Sequence, residues 1–204
     1  MLRFILLSLM SFLMAIPAIA RDKDPIAEMI AVIHEKQAVA EWIIQRTRNK
    51  VDYNYAIGIV DTVYDKAYKQ GVDPLVVIGM ISKESMFRPK AKSGYGAVGL
   101  MQVVPRFHQD KIKKRNIYNK EVNIEVGVKV LFDCLKNRKT VKGALNCYSG
   151  GARGYAEYVQ ARHKEIKQAI ILNLFNNNQK INVDYAYHKP LREPRTTSPL
   201  YAGI

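Results

Sequence analysis

Residues 73–102 read DPLVVIGMISKESMFRPKAKSGYGAVGLMQ, and two unlike segments meet inside them. Asp73-Pro74 opens a helix, since aspartate caps an N-terminus well and proline fits the first helical position. Leu75 to Ser85 is largely apolar, which predicts a helix buried on most of its faces. Pro89 stops it. Residues 88–98 hold glycines, a proline and small polar residues, the composition of a loop or short hairpin. A further short helix is expected from near Gly99 to near Pro105.

Glu84 falls at the junction. The side chains one and two turns back, Ile81, Met80 and Val77, give it an apolar stripe. It also lies in the last helical turn, where the helix dipole disfavours negative charge. Both effects raise a carboxyl pKa, as a general acid working near neutral pH requires. A glutamate at a helix end can equally turn out into water, so this context alone leaves both readings open. In the following segment, Gly94, Gly96 and Gly99 let the backbone turn tightly or approach a ligand closely. Leu100 and Met101 alone would be ordinary core, whereas Gln102 both donates and accepts hydrogen bonds, as sugar recognition demands.

Outward from this segment the chain reads as mostly helical. Apolar residues recur at helical spacing from Pro25 to about Lys50, and a second helix runs from about Tyr53 to Gln70, ended by Gly71. Downstream, helical periodicity covers Asn123–Leu135, about Val141–Tyr148 and Ala152–Asn173. A basic stretch, Arg106–Lys120, separates these from the glycine-rich loop. The polar segment from Asn176 onward carries Pro190, Pro194 and Pro199 and is expected to be irregular. There is no internal repeat.

Residues 1–20 have the order of a secretory signal: Arg3, an apolar run from Phe4 to Ile16, then Ala18-Ile19-Ala20 with small residues at and before the cut. The apolar run is shorter than the roughly 20 residues that cross a bilayer, although an uncleaved anchor is the competing reading. The sequence contains 32 basic and 18 acidic residues, a net charge of +14. Removing the leader takes one arginine and no acid. For an exported chain, the acidic partners in reach are wall carboxylates, anionic envelope polymers and lipid head groups. Lys113-Lys114-Arg115 lacks a recognised nucleic-acid motif and is better read as a solvated, wall-attracting face. Cys134 and Cys147 lie almost symmetrically about the polar turn Lys136–Lys142, so an oxidising compartment permits a disulfide between antiparallel helices; two buried free thiols are the alternative. His34, His108, His163 and His188 are scattered without metal-ligand spacing.

The ordered elements Glu84-Ser85, Gly96-Ala97, Gly99-Leu100-Met101-Gln102 and Ala144-Leu145-Asn146-Cys147-Tyr148-Ser149-Gly150-Gly151, with Asn123-Ile124-Glu125-Val126-Gly127 between them, resemble the soluble lytic transglycosylases, relatives of goose-type lysozyme. The resemblance covers roughly residues 71–160. It implies a mainly α, lysozyme-like helical domain with at most a short β-hairpin near the active-site loop. The expected layout is a leader at 1–20, N-terminal helices at 21–70 packing on a catalytic domain at 71–173, and an irregular extension at 174–204. Residue by residue, it implies Glu84 as the catalytic acid and base. Ser85, Ser93, Met101, Gln102, Tyr148 and Ser149 become substrate-binding or site-shaping residues, with no cofactor and no metal. Ser149 departs from the family's usual asparagine and Cys147 from its frequent alanine, which weakens any side-chain role carried over to Ser149. The implied reaction cleaves the N-acetylmuramic acid–N-acetylglucosamine β-1,4 bond of peptidoglycan with formation of 1,6-anhydro ends. Lysozyme-type hydrolysis and a non-catalytic peptidoglycan-binding scaffold are the alternatives. The expected setting is periplasmic or secreted with peripheral envelope association, in partnership with glycan strands and a secretion, conjugation or pilus complex, and not with nucleic acid.

Overall fold

The computed structural model describes residues 24–177. The expected leader and nearly all of the expected C-terminal extension lie outside the described residues. What is described is mainly α: α1 (Pro25–Arg46), α2 (Tyr53–Gln70), α3 (Pro74–Glu84), α4 (Gln109–Ile112), α5 (Lys120–Arg138), α6 (Val141–Tyr148) and α7 (Tyr155–Asn177), with a 3-10 turn at Pro105–Phe107. The chain forms two compact units, 1–32 and 33–204. Of the first, the described part is Asp24 and the opening turns of α1, where the Asp24 carboxylate accepts from the Ile26 amide at 2.9 Å.

In the second unit, the helix ends follow local chemistry. Asp52 caps α2 by accepting from Tyr55 N, and Gly71 ends it at φ 64°. Asn119 accepts from Val122 N to cap α5. Thr140 does the same for α6 through Gly143 N. The core gathers Val39 and Ile43 of α1, Ile59, Val60 and Val63 of α2, nearly all of α3, and Ile124, Val128 and Leu131 of α5. α3 packs against α2 and α7, and α5 against α2 and α6. Gly79 lets α7 come close to α3: a Cβ there would lie 3.2 Å from the Val159 carbonyl oxygen.

Two helix boundaries differ from expectation for a backbone reason. α1 stops at Arg46 because Arg48 and Asn49 turn left-handed, at φ 54° and 58°. α7 starts at Tyr155 rather than Ala152 because Gly150, Gly151 and Gly154 all hold positive φ. The helix expected from Gly99 to Pro105 is not formed. Gly99 and Gln102 take φ values of 78° and 47°, and the Val103 amide donates to the Val98 carbonyl at 3.1 Å instead of to the Gly99 carbonyl that a helix would offer it. In its place are single antiparallel bridges, Lys92 with Val98 and Val98 with Val103. Among the described residues no helix is long and apolar enough to cross a membrane.

Cys134 of α5 and Cys147 of α6 form a disulfide, with Cα atoms 5.8 Å apart and a sequence separation of 13. It closes the short hairpin that presents Tyr148. Replacing both cysteines by serine is expected to lower the unfolding free energy by about 3 kcal/mol, the chain-entropy value for a loop of this length. Calorimetry of the wild type with and without reductant checks it: reduction reproduces the loss in the wild type and changes nothing in the variant. Equal melting temperatures for oxidised and reduced wild type would contradict it.

Candidate active site

The site is built on the carboxyl end of α3. The helix is anchored at its start, where one Asp73 carboxylate oxygen accepts from Leu75 N at 2.8 Å and the other lies 2.9 Å from His163 Nε2 of α7. Every residue from Pro74 to Ser82 is buried. Helical bonding then ends abruptly. Ser85 N and Ser85 Oγ both donate to the Ile81 carbonyl, and Met86 and Phe87 turn left-handed at φ 48° and 61°. Such backbone is costly for residues other than glycine and persists only where packing enforces it. Here the enforcement comes from Phe87, which is buried and meets Trp42 edge-on at 6.3 Å. The turn leaves Glu84 as the final residue of an apolar helix.

Glu84 Oε1 accepts a hydrogen bond from Tyr155 Oη at 2.5 Å. Burial pushes the Glu84 carboxyl above its ordinary pKa, and neither the Tyr155 bond nor the Lys83 charge, both acting downward, cancels that rise. The unpaired carbonyls at the end of α3 act in the same sense as burial. Tyr155 is itself pushed up, by burial, by Glu84 and by Tyr148. Tyr148 is raised by burial and by Glu84. Glu84, Tyr148 and Tyr155 therefore lie close enough to act on one another in surroundings withdrawn from water. No second carboxylate contributes to the Glu84 shift. Asp110 and Asp133 instead share Lys111 at 3.0 and 3.1 Å, and Glu121 pairs with Lys120 at 3.4 Å.

The glycine-rich loop is held by Asn123, a buried side chain. It accepts from Met101 N and donates to the carbonyls of Val98, at 2.9 Å, and Ile117, at 3.2 Å. Gly99 passes so close that a Cβ would fall 2.3 Å from Asn123 Nδ2. Tyr148 Oη donates to the Met101 carbonyl at 2.7 Å, so one phenol ties α6 to the loop while the other holds Glu84. Gln102 Nε2 donates to the carbonyls of Ala91 and Gly99. Ser93 Oγ accepts from Ala97 N at 3.1 Å, closing a turn whose tip, Tyr95, is 83% exposed. Ser149 Oγ donates to Asn146 O at 3.2 Å.

The structure thus brings Glu84 and Tyr148 together and arranges the loop of Ser93, Met101 and Gln102 through backbone bonds. The side chains of Ser85 and Met101 are buried. Sequence reasoning did not reach Tyr155, which is 71 positions from Glu84 and carries no local signal beyond following a glycine-rich turn. It placed Asn123 at a helix start without the bonds that make it the loop's anchor. Among the described residues no group of three or more His, Cys, Asp or Glu side chains is placed to hold a metal ion.

Comparison with known proteins bears on the same residues. The family model described as the transglycosylase SLT domain matches residues 61–171, more than half of the chain, and includes Glu84, the loop, Tyr148 and Tyr155. The chain is 33% identical over 91 residues to the transglycosylase of Enterobacteria phage PRD1, covering 45% of this chain and 34% of that protein. It is 32% identical over 101 residues to lysozyme g of Gallus gallus, covering 43% and 46%. It is 37% identical over 71 residues to the membrane-bound lytic murein transglycosylase C of Actinobacillus pleuropneumoniae, covering 30% and 20%. The chain therefore spans less than half the length of each of these relatives. With a mainly α, lysozyme-like fold around a helix-end glutamate, and with a family model that spans this site, the chain belongs to the transglycosylase SLT domain family.

Proposed function

We propose that the protein cleaves the glycan strands of peptidoglycan at the N-acetylmuramic acid–N-acetylglucosamine β-1,4 bond by the transglycosylase route, with Glu84 as the one catalytic carboxyl group. The observation that carries this is the isolation of that carboxyl: it is half-buried at the end of α3, bonded to a phenol, and shifted without help from another carboxylate. Most glycosidases divide acid and base or nucleophile between two carboxylates. One carboxyl suffices if it does both jobs in turn. Protonated Glu84 gives its proton to the bridging oxygen as the bond to C1 breaks. The N-acetyl oxygen of the same sugar supports the positive C1. Glu84, now ionised, takes the proton of the C6 hydroxyl as that oxygen attacks C1, closing a 1,6-anhydro ring. The proton returns to Glu84 and no water is consumed. The attacking hydroxyl is already tethered to the reacting ring, which favours this route over an encounter with solvent.

In this reading Tyr155 positions the acid, and Tyr148 and Asn123 position the Met101–Gln102 loop against the sugar. Ser85 secures the helix end beneath the acid. Gln102, with its amide nitrogen committed to two backbone carbonyls, offers its oxygen to a sugar hydroxyl. Ser93 and Ser149 are hydroxyls at the groove's margins. Lysozyme-type hydrolysis is favoured by one observation, the match to lysozyme g, and yields a different product. The setting we attach to the activity is the cell envelope, reached through cleavage of residues 1–20. Local opening of the wall for a secretion, conjugation or pilus apparatus is its cellular role, engaged through the segment beyond Asn176, which the family model leaves unmatched.

Digestion of purified peptidoglycan followed by mass analysis of the fragments tests the reaction. Anhydro ends are expected; reducing ends would establish hydrolysis, and no release would leave a binding protein. Glu84→Gln keeps the shape and removes the proton, so cleavage should fall by at least about 100-fold, within the usual range for a general acid, while wall sedimentation assays still show binding. A variant as active as the wild type would overturn the role of Glu84.

The pH profile carries a signed expectation. The acid acts when protonated, so activity falls as pH rises through the Glu84 pKa. The Tyr155 bond stabilises the carboxylate, and removing it in Tyr155→Phe should raise that pKa further. The falling limb of kcat/KM then moves to higher pH, even as the loss of positioning lowers the maximum. An unmoved or downward-moved limb would contradict the assignment of Tyr155.

A further inference from the structure

One turn further along α7 than Tyr155, a second tyrosine gathers a group of cations that the mechanism does not use. Arg46, the last residue of α1, donates from Nη2 to Tyr158 Oη at 2.9 Å. Ser82 Oγ lies 3.4 Å from the same oxygen. Lys83 Nζ stands 4.7 Å from the centroid of the Tyr158 ring, and Arg162 Cζ stands 5.1 Å from it. Three helices thus bring three positive side chains to one aromatic ring. The ion pair recorded for these cations among the described residues is that of Arg162 with Glu165. Arg46 Nε and Arg162 Nε are buried and have no hydrogen-bond partner among the described residues. Buried guanidinium donors are normally paired, because leaving one unmatched costs the desolvation of a charged group. The sealed Nε atoms do not themselves reach a ligand, but three cations face one paired carboxylate, Glu165, and Lys83 is exposed with Arg46 and Arg162 part-exposed, so positive charge and charged donors stay open to an anion. Tyr158 responds to the same field: burial pushes its phenol up, yet the bonds from Ser82 and Arg46 and the charges of Arg46 and Arg162 outweigh it and bring the pKa below the ordinary value.

We propose that Arg46, Lys83 and Arg162, arranged around Tyr158, form an anion-binding subsite beside the catalytic groove that holds a stem-peptide carboxylate of the peptidoglycan substrate. The assignment rests on the transglycosylase reading above. It places the anion by proximity: Lys83 precedes Glu84 and its charge acts on the Glu84 carboxyl, and Tyr158 follows Tyr155 by three residues, about 4.5 Å of helix rise. Stem-peptide carboxylates hang from N-acetylmuramic acid at steps of about 3.5 Å per residue, so a carboxylate within the first few residues reaches the cluster while the sugar lies at Glu84. Bidentate geometry makes arginine suited to a carboxylate, and Lys83 on the open side adds a mobile point charge. Binding here would orient the strand and discriminate peptide-bearing from bare sugar.

The test compares three substrates: native wall, wall whose peptide carboxylates have been converted to amides, and glycan strands stripped of peptide, which bear a free lactyl carboxylate. Wild-type kcat/KM should fall about tenfold on the amidated wall, the loss of one charge-assisted contact, carried by KM with kcat nearly constant. It should fall similarly on stripped strands. Arg46→Gln combined with Arg162→Gln should show that loss already on native wall and lose nothing more on amidation, whereas Arg46→Lys with Arg162→Lys should recover part of it. Lys83→Gln, a change on an exposed side chain, gives a smaller KM increase and keeps the test valid if the double arginine variant unfolds. Equal wild-type rates on native and amidated wall, or variants that lose the same factor on both, would overturn the subsite. A wild type that prefers stripped strands would place the anion on the sugar and overturn the stem-peptide assignment. A wild type that cleaves none of the three would instead refute the proposed activity.

Discussion

Ionising a carboxyl group at the end of an apolar helix is expensive, and the arrangement around Glu84 follows from that expense. Nine consecutive residues, Pro74 to Ser82, are buried ahead of it, the helix carbonyls face it, and the backbone turns away at Met86 and Phe87 instead of continuing. Water is the usual solvent for a carboxylate, and this one is largely withdrawn from it. Tyr155 offers a single hydroxyl in place of a hydration shell. That is enough to fix the direction of the carboxyl group but not enough to restore its ordinary acidity. A group so placed holds its proton where a surface glutamate would have lost it. In the proposed mechanism it takes a proton back once a positive centre has formed nearby.

The loop across from the acid has a different problem, because it is rich in glycine and has little intrinsic order. Its shape comes from outside itself. Asn123 supplies three bonds from a buried position on α5, and Tyr148 supplies one from α6. The disulfide ties α5 to α6 immediately beside Tyr148. Both supports of the loop therefore descend from one cross-linked helical hairpin. The acid is supported separately, by α3 and α7. Catalytic geometry depends on how these two pairs of helices meet, and α2 contributes by packing on both α3 and α5.

Where a structural decision is local, the sequence shows it. α2 was legible at its end because Gly71 acts on its nearest neighbours, and α3 was legible because Asp73-Pro74 starts it without outside help. Glu84 could be singled out because its apolar stripe and the glycine-rich segment lie within twenty residues of it. Where the decision is made at a distance, the pattern misleads or falls silent. Gly99-Leu100-Met101-Gln102 looks like the start of a helix, yet Gly99 and Gln102 turn at positive φ in a loop whose Met101 amide is held by Asn123, 22 positions on. Tyr155 is an ordinary tyrosine in a periodic helix until the fold carries it to Glu84. Arg46 and Tyr158 meet across 112 positions, and nothing near either one announces the other.

The account stands on the protonation of one side chain, and that can be observed without substrate. Selective carbon-13 labelling of glutamate carboxyls, with the Glu84 resonance assigned by its disappearance in Glu84→Gln, gives its titration curve directly. A midpoint clearly above the value near 4.3 of a solvated glutamate is the predicted result. A midpoint at or below that value would show a carboxylate already ionised at working pH, and Glu84 could not then be the acid that opens the glycosidic bond.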